Sequence, residues 1–104
     1  MKFLDKLKAK LGLEIEPQIP LDEMAEIIFQ ALGGASNIED IGACATRLRI
    51  VIRDPQHLDI AIIRQTKPFG IIRLADTQLQ IIYGVKANLL SQYINEKCDT
   101  AKMP

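Results

Sequence analysis

Ala43-Cys44-Ala45-Thr46-Arg47-Leu48-Arg49-Ile50-Val51-Ile52-Arg53 holds both the periodicity that sets the fold and the residue types that suggest a chemistry. A pleated strand sends successive side chains to opposite faces. Leu48, Ile50 and Ile52 therefore go one way, and Arg47, Arg49 and Arg53 go the other with Val51 among them. The first set is suited to a core. The second concentrates positive charge, and guanidiniums grip phosphate oxygens through forked, charge-assisted hydrogen bonds. Cys44 stands at a turn just before the strand, and Thr46 adds a hydroxyl close by.

A thiol is only a few per cent ionised at neutral pH, so a nucleophilic role calls for nearby positive charge. Arg47 and Arg49 are placed to supply it. The same cations would meet the larger charge of a phosphorylated sulfur, with Thr46 donating a hydroxyl hydrogen bond to one of its oxygens. A plainer reading stands beside this one: a lone cysteine near a strand is most often a small buried apolar residue, and arginines on an open sheet face are most often solvated. The loop of cysteine phosphatases is not matched, since its arginine follows the cysteine at a longer spacing across a glycine-rich turn. Residue types and spacing alone leave both readings open.

Cys44-Ala45-Thr46-Arg47-Leu48-Arg49, preceded by Leu32-Gly33-Gly34 and Asn37-Ile38, resembles the active-site segment of the IIB domain of the bacterial sugar phosphotransferase system, glucose/sucrose type. Gln80-Ile81-Ile82-Tyr83-Gly84 is similar to the Gln-x-Ile-Phe-Gly segment that closes the sheet in that family. The resemblance runs from about Leu21 to Lys97. It departs at Ala75-Asp76-Thr77, where related domains usually carry glycine and a slightly shorter interval before the glutamine.

With 104 residues and 48% hydrophobic content, the chain has room for one domain and one modest core. Thirteen basic residues balance thirteen acidic ones, which removes the bulk charge a nucleic-acid partner would call for. Aromatic residues are too sparse for a base-stacking surface. Two cysteines, Cys44 and Cys98, make no disulfide framework, and the chain opens without a secretory signal pattern, so a reducing cytoplasm is expected. No apolar run approaches the ~20 residues that span a bilayer. His57 is the single histidine and reads as a solvated helix residue; neither a metal nor a cofactor is expected.

Along the chain, Met1 to Leu13 sets Phe3, Leu4, Leu7 and Leu11 at helical spacing among Lys2, Lys6, Lys8 and Lys10. Such a basic amphipathic segment suits an anionic membrane surface, and its opening resembles the membrane-associating N-terminal helix of the glucose-type IIA protein. Packing on the domain, or fraying, is the other reading. Pro17 and Pro20 make residues 14–20 a linker. A helix is expected from Leu21 to Leu32, with Leu21, Met24, Ala25, Ile28 and Leu32 inward and Gly33-Gly34 ending it. A strand from Ile38 to Ala43 and the arginine strand follow. Asp54-Pro55 opens a predicted helix to about Gln65, with Leu58, Ala61 and Ile62 buried and Ile60 and Ile63 widening the stripe. Ile71 to Leu74 and Leu79 to Tyr83 read as a hairpin about Asp76-Thr77-Gln78. Val85 to Lys97 closes the domain as a helix with Val85, Leu89, Tyr93 and Ile94 inward, and Cys98 begins a polar tail, residues 98–104.

The expected fold is α+β: a four-stranded, mainly antiparallel sheet with three helices on one face, in the order α-β-β-α-β-β-α. The domain spans residues 21–97, after a basic N-terminal segment and linker over residues 1–20. The resemblance implies a phosphoryl relay and hence a phosphotransferase. In it a phosphohistidine on a IIA domain docks beside Cys44, whose thiolate attacks phosphorus. Cys44, Arg47 and Arg49 are then catalytic, Thr46, Arg47 and Arg49 bind the phosphate, and Gln80 is a loop contact. The second transfer goes to a sugar hydroxyl in a separate membrane IIC component. The chain then works in the cytoplasm, at the inner face of the membrane if residues 1–13 bind lipid. Two readings of other classes stay open, a non-transporting adaptor that keeps the fold and a redox sensor in which Cys44 meets Cys98 or forms a sulfenic acid.

Overall fold

The computed structural model describes residues 19–102. In order they form α1 (Leu21–Ala31), β1 (Ile38–Cys44), β2 (Arg47–Ile52), a short 3-10 turn (Pro55–His57), α2 (Ile60–Gln65), β3 (Gly70–Ala75), β4 (Gln78–Ile82), a second 3-10 turn (Gly84–Lys86) and α3 (Ala87–Lys102). The strands pair antiparallel throughout, in the order β1-β2-β4-β3. The expected α+β order and one-sided helical cover are both present. The basic segment Met1 to Leu13 lies outside the described residues.

The alternation in β2 holds: Leu48, Ile50 and Ile52 are buried, while Arg47 and Arg49 are exposed. Ile38 and Ile41 of β1 and Leu79 and Ile81 of β4 complete the apolar sheet face. Against it pack Met24, Ala25, Ile28 and Ala31 of α1 and Ile63 of α2, with Ala87, Leu90, Ile94 and Cys98 of α3. Burying the three β2 side chains is worth on the order of 5–9 kcal/mol. A one-residue slip would forfeit that and push arginines into the core. Arg53 is the exception to the expected arginine face. β2 ends at Ile52, and Arg53 donates its backbone amide to Asn37 O at 2.9 Å, outside the ladder.

α1 ends as its glycines suggest, with φ +99° at Gly33 and +79° at Gly34 and their amides bonded back to Gln30 O and Phe29 O. Gly33 is required twice over, since a Cβ there would lie 2.8 Å from the Asn37 side chain. Asn37 is a buried knot. Its amide nitrogen donates to Leu32 O at 2.7 Å and Asp54 O at 3.0 Å, and its oxygen accepts from Asp54 N at 2.8 Å. One side chain thus ties the end of α1 to the exit of β2.

The predicted helix from Pro55 to Gln65 is divided. Asp54 caps a single 3-10 turn by accepting from Gln56 N; the chain then extends at Leu58, and Asp59 caps α2 by accepting from Ile62 N. Asp59 N also donates to Ala31 O at 2.8 Å, which holds this break against α1. The restart changes the helical phase, so Ile63 is fully buried, Leu58, Ile60 and Ile62 are half-buried, and Ala61 faces solvent. His57 is exposed at the 3-10 turn, 3.4 Å from the Asp54 carboxylate.

The closing helix also differs from expectation. It begins at Ala87 and runs to Lys102 rather than Lys97. Its inward set is Ala87, Leu90, Ile94 and Cys98, whereas Val85 is 92% exposed and Leu89 and Tyr93 face outward. The irregular turn at Gly84–Lys86 rotates the helix relative to the phase extrapolated from Val85. Cys98 is therefore a core residue and not part of a polar tail. Lys97 donates to Glu26 at 2.8 Å across the α1–α3 seam, and that bond holds the Glu26 carboxyl below its usual range.

Tyr83 is buried to 2% exposure, and its hydroxyl lies 2.7 Å from Thr66 Oγ1, which itself donates to Ile63 O at 2.6 Å. Burial pushes the phenol up to about 12. The fold thus favours the neutral phenol. That contribution is complete below pH ~10 and is lost as pH rises toward 12, for a total on the order of 2 kcal/mol. Urea unfolding is expected to show the decline in the native chain and not in Tyr83→Phe, which costs about 1 kcal/mol at neutral pH. Asn37→Ala leaves Leu32 O and both Asp54 backbone groups without their partner, and is expected to cost about 2–3 kcal/mol in the same measurement.

Candidate active site

Cys44 is the last residue of β1 and faces Arg47 directly across the β1–β2 ladder, with Ala45 and Thr46 forming the two-residue connection between them. Directly opposed residues hold their Cβ atoms about 4.5–5.5 Å apart. The thiol is exposed and lies at the end of the sheet face that no helix covers. Ala45 takes φ +55°, in the left-handed region that a non-glycine residue adopts at a cost of roughly 1–2 kcal/mol. The turn is held from the side: Tyr83 N and Gly84 N both donate to Thr46 O at 3.1 Å. Gly84 needs φ +74° to do so.

Register places the other candidates. Arg49 faces Gly42 on one side and Gln80 on the other, and Arg47 faces Ile82. Gln80 therefore shares the open face with Cys44, and its Oε1 accepts from Arg47 Nη1 at 3.0 Å. The glutamine orients the guanidinium nearest the thiol and leaves its other N–H groups available. The Arg49 guanidinium makes no hydrogen bond or ion pair among the described residues. The Thr46 hydroxyl is exposed at the turn, within one residue of Cys44's cross-strand partner. Cys44, Arg47, Arg49 and Gln80 thus share one face toward one end of the sheet, with Thr46 in the turn beside them, and Arg53 lies past the far end of β2.

The Asp76-Thr77 connection is also remote. It joins Ala75 to Gln78, and Thr77 O accepts from Ile52 N, at the opposite end of β2 from Arg47. At ~3.3 Å per residue, it sits about 15 Å along the sheet from Cys44. Arg73 braces it by donating to Ala75 O and Asp76 O. The departure from the family pattern in this loop is therefore away from the thiol. Pairing of Cys44 with Cys98 has no geometric support: Cys98 is buried on the helical side of the sheet, and no disulfide joins the two.

Comparison with known proteins gives the family. The family described as phosphotransferase system, EIIB, matches residues 26–59, which include Cys44, Arg47 and Arg49. The N-acetylglucosamine-specific EIIB component of Streptomyces coelicolor is 32% identical over 72 residues, covering 69% of this chain and 92% of that protein. The chain belongs to the EIIB family of the phosphotransferase system. The phosphotransferase enzyme IIB component GlvB of Escherichia coli is 40% identical to this EIIB chain over 81 residues, which are 77% of the chain and 49% of GlvB. The chain thus spans about half of that relative. A glucose-specific EIICBA component of Mycoplasma genitalium is 32% identical over 63 residues, 7% of its length. The crystal structure of one domain of a PTS IIabc component from Clostridium difficile superposes with TM-score 0.58 at 21% identity, over 80% of this chain and 83% of that one, and so shares the fold.

One contribution to the site has no local signal in the sequence. The backbone amides of Tyr83 and Gly84 hold the thiol's turn, although the resemblance of the Gln80-to-Gly84 segment marked the stretch that supplies them. Phe69, whose amide donates to Ile82 O, and Val85, which follows Gly84, have 82% and 92% of their surface exposed. Phe69 was legible as an apolar residue in a loop just after Pro68, where a polar one would be usual.

Proposed function

We propose that this EIIB chain is a phosphocysteine relay of a sugar phosphotransferase system. The observation that carries the reading is an exposed thiol set opposite Arg47 on an uncovered cationic face, with the Arg49 guanidinium beside it lacking a protein partner among the described residues. The donor is a phosphohistidine of a IIA protein. The Cys44 thiolate attacks phosphorus, the S–P bond forms as the P–N bond breaks, and the electron pair passes to the imidazole nitrogen, which takes up a proton. Such a transfer asks the protein for positioning and charge stabilisation more than for covalent chemistry. Arg47, aimed by Gln80, and Arg49 meet the phosphoryl oxygens, and the Thr46 hydroxyl donates to one of them. In the second step a sugar hydroxyl oxygen, presented by a membrane IIC component, attacks phosphorus. Sulfur leaves with its electron pair, and the hydroxyl proton is released.

The relatives whose names join IIB to IIC and IIA components support partners of these kinds. No described helix is long and apolar enough to cross a membrane, so the sugar path belongs to another chain or segment. The site of action is the cytoplasm, and the basic amphipathic pattern of residues 1–13 supports contact with an anionic membrane face there. Deleting residues 1–13 is expected to lower binding to phosphatidylserine vesicles. Equal binding by both forms removes the membrane role.

Intact mass after incubation with a phosphorylated IIA protein tests the relay. The native chain is expected to gain one phosphoryl group, and Cys44→Ala none. Arg47→Lys keeps the charge and loses the fork, with a transfer rate lower by about 10–100-fold. A native chain that gains nothing from any glucose-type donor, or a Cys44→Ala chain that still gains mass, would refute the relay.

A further inference from the structure

We propose that Phe69 and Val85 are the apolar anchors on which the phosphorylated donor protein seats next to Cys44, an inference that rests on the relay reading. Both side chains are almost fully in water, at 82% and 92%, although the domain buries most of its other large apolar residues. Neither supports the core. Their position is tied to the thiol by a short series of contacts. Phe69 N donates to Ile82 O at 2.8 Å, at the start of the row Gly70, Ile82, Arg47, Cys44 that crosses the sheet. Val85 follows Gly84, whose amide holds the Thr46 carbonyl. The two are linked through that glycine: a Cβ on Gly84 would stand 3.2 Å from Phe69 Cε2. Phe69 therefore lies against the backbone that fixes the cysteine turn.

A protein that delivers a phosphoryl group to Cys44 must cover this turn. A standard interface occupies about 800 Å² on each partner, a disc of roughly 16 Å radius, and at ~4.8 Å between strands the whole row falls within it. Exposed aromatic and apolar residues inside such a footprint, beside arginines, have the composition of an interface hot spot. The occupant is set by charge. A second copy docking through this patch would bring its own Arg47 and Arg49 against ours, because a two-fold interface opposes like surfaces. A donor carrying phosphohistidine brings the opposite charge to the same place. The partner's matching surface is accordingly an apolar recess around an anionic centre.

The test compares the native chain with a Phe69→Ala, Val85→Ser double variant. One readout is the second-order rate of phosphoryl transfer from a phosphorylated IIA protein at subsaturating concentration; the other is alkylation of Cys44 by iodoacetamide. The proposal expects transfer slower by about tenfold or more, with alkylation within twofold and an unchanged melting temperature. Transfer at the native rate overturns the anchor role and leaves the relay standing. A parallel fall in alkylation also overturns it, since the side chains would then be shaping the turn. Sedimentation showing a native dimer that the variant loses, with transfer unaffected, assigns the patch to a second copy instead. No transfer to the native chain overturns relay and anchor together.

Discussion

The strand Arg47–Ile52 constrains everything around it, because burial of Leu48, Ile50 and Ile52 obliges Arg47 and Arg49 to project from the other face. That face stays open because covering it would bury charge without compensation. All three helices consequently pack on one side, where Ile28, Leu32, Ile63, Leu90 and Ile94 meet the sheet. The same alternation that builds the core thus keeps a cationic surface accessible at a fixed distance from the thiol.

A second constraint acts on the turn that carries Cys44. The left-handed residue there is alanine, and its conformation is not one the residue prefers. The two hydrogen bonds donated by the Tyr83 and Gly84 amides to Thr46 O hold it, and Tyr83 is in turn anchored through Thr66 in the core. A segment distant in sequence therefore fixes the nucleophile's position by backbone contacts, while Gln80 from the same segment aims Arg47. This gives the resemblance of the Gln80-to-Gly84 stretch a physical meaning: it forms the wall of the cysteine turn as well as the last strand of the sheet.

The two irregular turns account for the departures from simple helical periodicity. A helical phase extrapolated from Pro55 or Val85 fails because each lies in a 3-10 turn, after which the helix restarts. Asp59, a good cap in mid-segment, marked the first restart in the sequence itself. Nothing so local marked the second. Cys98, expected in a polar tail, continues the spacing of Leu90 and Ile94 and packs as a small apolar residue.

The sequence by itself determined the β2 alternation, the order of elements, the glycine end of α1 and the grouping of Cys44, Thr46, Arg47 and Arg49, since each depends on contacts or conformations within a few residues. Only the tertiary structure decided that Gln80 faces the arginines, that Arg53 lies away from them, and that Phe69 and Val85 are left exposed. Those facts depend on strand register and on where each strand stops. Both are set by packing between segments some thirty residues apart, as in the Arg47 bond to Gln80, and no local pattern encodes them.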